Sequence, residues 1–144
     1  MACEANRSPI PGPGVTPKLR LVLFLSGAIV LFDAGASIAS RQLGFPYTNA
    51  AVGSYILYAI GGFLAARQAN LAFAAQVGAV LGLVDATLGW VVSSAIGPNV
   101  PPMPRLTIGT WLFVTIVVVV TSVVCALVGG AIGRATRRSS GSAA

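Results

Sequence analysis

The chain has 144 residues, 56% of them hydrophobic and only 8% charged, with a mean hydropathy of +0.86. A soluble domain of this length carries roughly a quarter charged residues, so a soluble enzyme or a separate water-exposed domain is excluded, and an integral membrane protein is expected. There is no histidine, and the two cysteines fall in an N-terminal tail (Cys3) and an apolar run (Cys125); neither a disulfide framework nor a metal or cofactor site is implied.

In chain order, residues 1–17 are rich in proline and glycine and read as a disordered cytosolic tail. The transmembrane domain covers 18–134, with apolar spans at about 19–40, 48–66, 71–96 and 107–133, and residues 135–144 form a basic tail. Each span has roughly the 20 residues needed to cross ~30 Å of hydrocarbon. The fold class is therefore all-α, a polytopic four-helix membrane protein. "QLGFPYT" and "GPNVPPMPR" are the loops on one side and "RQAN" the turn on the other; Phe45, Tyr47 and Trp111 suit an outer aromatic belt. A signal peptide competes for the first span, because "KLR" precedes an apolar run and then "DAGASIAS" with its small residues.

The net charge of +6 is a matter of topology. Arg7, Lys18, Arg20, Arg67, Arg134, Arg137 and Arg138 fall on one side of the spans, and only Arg41 and Arg105 on the other. That asymmetry places both termini in the cytoplasm, as expected for the inner membrane, without any nucleic-acid partner. The basic C-terminus would gain about 1 kcal/mol per residue near anionic headgroups.

The two halves resemble each other. "LFDAGASIASRQLGFP" and "LVDATLGWVVSSAIGP" each place a proline thirteen residues after the aspartate, which suggests a duplicated helical hairpin.

Those aspartates, Asp33 and Asp85, are the only acids apart from Glu4. Asp33 follows Arg20 by thirteen residues and Asp85 follows Asn70 by fifteen, which sets both ~20 Å from the basic boundary. An acid near the helix centre costs about 2.5–3.5 kcal/mol to insert, so each should face protein or water. Helical phase agrees: Ser26, Asp33, Ser37 and Ser40 share a stripe, as do Gly78, Gly82, Asp85, Gly89 and Ser93. The second stripe points Asp85 into a tight helix contact and leaves Asp33 on the polar seam, with the better prospect of titrating. Tyr55 and Tyr58 share a face of the second span with Ala51, Gly62 and Ala65, where a buried hydroxyl would seek an aspartate. The candidate protonation or polar-contact sites are thus Asp33, Asp85, Ser37, Tyr55 and Tyr58.

Candidate helix-packing positions are Gly78, Gly82, Gly89, Gly129 and Gly133, which include two GxxxG steps that let backbones approach closely. Gly129 and Gly133 share a face with Trp111, Thr115, Val118, Ser122 and Ala126. The Val/Ile run "FVTIVVVV" supplies the opposite, lipid-facing side, on which Val119 and Val120 should tolerate added volume.

"YILYAIGGFLAAR" and "GLVDATLGW" give the chain the look of small four-span bacterial membrane proteins of unknown function. Its first half, from "LRLVLFLSGAIVLFD", is faintly similar to GtrA-like proteins, a resemblance that implies lipid-linked sugar translocation over at most a third of the chain and supplies no site residues. Small multidrug-resistance exporters resemble it in size and span number, but have a glutamate where this first span has Asp33. "GLVD" resembles the Gly-x-Gly-Asp of presenilin-type proteases, with Val84 in place of the second glycine. No enzyme is expected. The leading expectation is a structural or accessory component of the lipid bilayer, with a homo-oligomer or a larger membrane assembly as its candidate partners. The alternative is an oligomeric, proton-coupled or small-solute transporter that uses the two aspartates.

Overall fold

A computed structural model of the chain describes residues 16–97 and 107–141. Most of the segment read as a disordered tail, and the proline-rich loop with Arg105, lie outside these residues. Every element among the described residues is helical: α1 (Pro17–Leu43), a 3-10 turn (Tyr47–Ala50), α2 (Ala51–Gln68), α3 (Leu71–Val84), a single π turn (Asp85–Gly89), α4 (Trp90–Ile96) and α5 (Ile108–Gly141). They make four helices long and apolar enough to cross a membrane: Pro17–Leu43, Tyr47–Gln68, Leu71–Ile96 and Ile108–Arg137. These are the four apolar spans expected, and α5 continues through the basic stretch after Arg134 to Gly141.

The ends are set by local chemistry. Thr16 caps α1, its hydroxyl accepting from the Leu19 N–H at 3.4 Å, and Pro17 occupies the first turn, where its missing N–H costs nothing. Asn70 caps α3 by accepting from the Phe73 N–H at 2.9 Å. Gly44 (φ 73°) and Gly97 (φ 70°) end α1 and α4 in the left-handed conformation that favours glycine.

Small residues hold α5 against α2 and α3. Gly62 lies against the backbone of Ala126, Gly129 against that of Ala59, and Gly133 against Phe63. Gly78 and Gly82 face Ser122, whose hydroxyl donates across to the Gly78 carbonyl at 2.8 Å. Both GxxxG steps are therefore packing surfaces within the chain. The α1 residues Leu25 and Ile29 join Tyr58, Ala65, Ala66, Ala74, Val77 and Leu81 in the core. On α5 the lipid-facing side includes Phe113, Ile116, Val117, Val120 and Val124, all exposed. Val119 departs from expectation: it is half-buried, because its backbone meets Gly82.

Charge divides the bundle. At one end Lys18 lies 5.4 Å from the Phe73 ring centre, Arg67 lies 5.6 Å from that of Phe63, and Arg137 donates to the Arg67 carbonyl. At the other, Arg41 donates to the Ile96 carbonyl at 3.0 Å, joining the ends of α1 and α4.

Packing is uneven along the bundle, and that positions the site. The residues α5 turns inward are Ser122, Ala126, Gly129, Gly130 and Gly133 toward its C-terminus, but Trp111, Thr115 and Val118 toward its N-terminus. Close approach is confined to the small-residue half. Among the described residues α1 and α5 make no close backbone contact, and at the bulky half a gap opens between them.

Candidate functional site

The π turn builds one wall of that gap. The Thr87 hydroxyl donates back to the Leu83 carbonyl at 2.6 Å, a bond that competes with the helix ladder and bends it. The ladder then lengthens locally, and the Trp90 N–H bonds to the Asp85 carbonyl five residues back. Over eight residues a regular α-helix carries a side chain about 80° past full turns; absorbing one extra residue returns it to within about 20°. The π turn thereby narrows the arc of Asp85, Gly89 and Ser93, which already share a stripe in regular phase, on the side packed against α1.

The two aspartates meet there. Their carboxyl groups lie side by side above the bare Cα of Gly89. A methyl group at Gly89 would strike Asp33 Oδ2 and stand 3.0 Å from Asp85 Oδ1, so glycine there makes room for the pair rather than for a helix backbone. The outer oxygens each have a tyrosine. The Tyr58 hydroxyl, wholly buried on α2, donates to Asp85 Oδ2. The Tyr47 hydroxyl lies 3.5 Å from Asp33 Oδ1 and 2.9 Å from Ser93 Oγ, so Ser93 can donate to Tyr47 while Tyr47 donates to Asp33. The inner oxygens, Asp33 Oδ2 and Asp85 Oδ1, both lie over Gly89.

Asp33 is 2% exposed, and no donor among the described residues reaches its Oδ2. Two ionised carboxylates side by side, with no cation beside them among the described residues, repel by on the order of several kcal/mol in a low-dielectric interior. A proton placed between the two carboxyl groups would remove that repulsion and give the orphan atom a donor.

The pair borders a cavity of about 260 Å³. Asp33 closes it on the α1 side and Asp85 on the π-turn side. Tyr47, Ser54 and Ser93 add hydroxyls, while Trp90, Trp111, Val114, Thr115 and Val118 supply a mostly apolar wall. Ser37 Oγ and Thr115 Oγ1 are further buried oxygens with no partner among the described residues.

The expected residues are thus partly reassembled. Asp33, Asp85 and Tyr58 come together, and Ser37 is buried beside the Tyr47 hydroxyl. Tyr55 does not join them: it is 45% exposed, turned outward on α2 beside Tyr58. Asp85, expected in a tight helix contact, is half-buried at the cavity, whereas Asp33, expected on a polar seam, is fully enclosed. Tyr47 and Trp111, read as belt residues, line the site instead. Trp90 and Thr115 also line it, and only the helical phase of Thr115 hinted at an inward position.

Comparison with known protein families, with curated proteins and with solved structures returns no match.

Proposed function

We propose that this chain is a non-enzymatic inner-membrane protein that binds and releases a proton at the Asp33–Asp85 pair, as part of the coupled movement of a small solute. The observation that carries this reading is the buried Asp33 Oδ2, donorless among the described residues and set against a second carboxyl beside a cavity. A purely structural or accessory role asks for something else. Interhelical packing contacts of this kind are worth about 0.6 kcal/mol when complete, and they use polar groups whose donors and acceptors match. Two acids facing each other match only when a proton is added from outside.

Trp90 and Trp111 are the only tryptophans in the chain, and both line the cavity. Their emission in the full-length protein, reconstituted in phosphatidylcholine nanodiscs, should therefore show a single reversible step with pH. That step should be absent from both Asp33→Asn and Asp85→Asn. Emission that is flat with pH in the native chain contradicts the proposal.

The same reading orients the chain with its basic end in the cytoplasm, so that the site lies in the outer half of the bilayer. Reporter fusions at Gln68 and after Ala144 should read cytoplasmic, and one at Pro102 external. An external C-terminus contradicts this orientation.

A further inference from the structure

We infer that the solute taken by this cavity is a small organic cation, an ammonium group on an apolar body, which binds in exchange for the shared proton. The inference rests on the proton-binding reading and names the substrate class of the same site.

Charge is the first argument. The pair is faced by Asp33 from α1, Asp85 from the π turn, Tyr47 from the 3-10 turn and Tyr58 from α2; α4 contributes Ser93, and α5 only Thr115 and apolar groups. No basic side chain is among them, and the nearest basic residue in sequence, Arg41, is held at the Ile96 carbonyl. Among the described residues no cation balances a second charge of the pair, which leaves that role to something that enters.

The acceptors are the second argument. Asp33 Oδ2, Ser37 Oγ and Thr115 Oγ1 are buried and unpartnered among the described residues, and Asp33, Thr115 and Asp85 line one cavity. An ammonium group offers three donors and no acceptor, matching this set. A bare metal cation fits it poorly. Ca²⁺ takes about six to eight oxygen ligands, whereas Trp90, Trp111, Val114 and Val118 give the rest of the wall carbon surface.

That carbon surface is the third argument. Indole faces attract cations and bury apolar bodies together. At about 260 Å³ the cavity lies below the drug-sized range of roughly 300–1,000 Å³, so its occupant is small.

Exchange balances simply. The ammonium enters with one positive charge, the shared proton leaves with another, and no bond other than that O–H is broken.

Phenethylammonium is a suitable probe, and 2-phenylethanol is its neutral counterpart of similar shape. Binding to the full-length chain in nanodiscs can be read from the emission of Trp90 and Trp111. The ammonium should bind saturably, with an affinity rising up to about tenfold per pH unit across the step shown by the free protein, as expected for one proton released per ligand. The alcohol should bind more weakly and without pH dependence. Asp33→Asn should lower ammonium affinity at least tenfold and abolish its pH dependence, whereas Thr115→Val should weaken binding and leave the pH dependence intact. Equal, pH-independent binding of both probes would overturn the inference, as would failure of the ammonium to saturate at millimolar concentration. The pH step of the ligand-free protein separates the two claims: if it persists, the proton-binding reading stands while the cation assignment falls, and if it is missing, both fall.

Discussion

Asp33→Asn should leave the four-helix fold intact and abolish every pH-dependent property of the site. The amide keeps the shape of the carboxyl and can donate to Asp85 Oδ1 in place of the shared proton, but it cannot release one. Tyr47 and Tyr58 retain acceptors on the outer oxygens, so the hydrogen-bond pattern survives. Detergent stability should therefore change by less than about 1 kcal/mol, the scale of a single interhelical hydrogen bond in a membrane. Asp85→Asn should behave likewise, because the proton belongs to the pair and either partner is indispensable. Asp33→Ala is the control, since it loses both the bond and the proton. If the Asp33→Asn protein unfolds outright, the charge itself is structural and has a cationic partner.

Gly62→Leu should produce the largest loss of stability. Even a methyl group at Gly62 meets the main chain of Ala126, with the carbonyl carbon and Cα both at 2.5 Å, and backbone cannot swing aside as a side chain can. The α2–α5 contact would have to widen along its length, at or above the upper end of the about 1–3 kcal/mol typical of overpacking. Gly82→Leu should cost less, because its nearest obstacle is the Ser122 hydroxyl, which can rotate, although the Val119 Cα at 2.9 Å still limits it. Val120→Leu, on an exposed face of α5, should lie within about 0.5 kcal/mol of the native protein. Unfolding by graded denaturing detergent should rank the three in that order. A native-like Gly62→Leu would show that α5 does not pack on α2 as described.

The architecture was readable from the chain because lipid leaves few choices. Long apolar runs must be helical, small residues must mark the close contacts, and a lone acid must turn inward. Hence the four spans, the roles of Gly78, Gly82, Gly129 and Gly133, and the link from Tyr58 to an aspartate all follow from spacing. The meeting of the two aspartates does not. It depends on Thr87 bonding to the Leu83 carbonyl and on the extra residue absorbed after Val84, whereas a periodicity argument assumes an unbroken helix. With regular phase Asp85 reads as crowded by glycines, and Gly89 as a packing glycine rather than as the space that holds two carboxyl groups.

Tyr47 and Tyr55 show a second limit. Tyr47 sits at the edge of an apolar run, where a belt is expected, and Tyr55 well inside it, where a site is expected. The 3-10 turn after Pro46 decides between them by carrying Tyr47 inward to Ser93 and Asp33. The cavity was hidden for a related reason, since it reflects side-chain volume along α5. Tightness at Gly129 and looseness at Trp111 lie on one face of one helix, and periodicity treats that face as uniform.

The central claim is that Asp33 and Asp85 hold one exchangeable proton between them. Infrared difference spectroscopy of the full-length protein in a lipid bilayer, titrated with pH, reads carboxyl protonation directly. The expected result is a carbonyl band of a protonated carboxyl that persists at neutral pH, disappears with loss of one proton per chain, and is absent from both Asp33→Asn and Asp85→Asn at neutral pH. A spectrum with both carboxylates fully ionised at neutral pH, or with a protonated band that survives unchanged in either variant, would contradict the account.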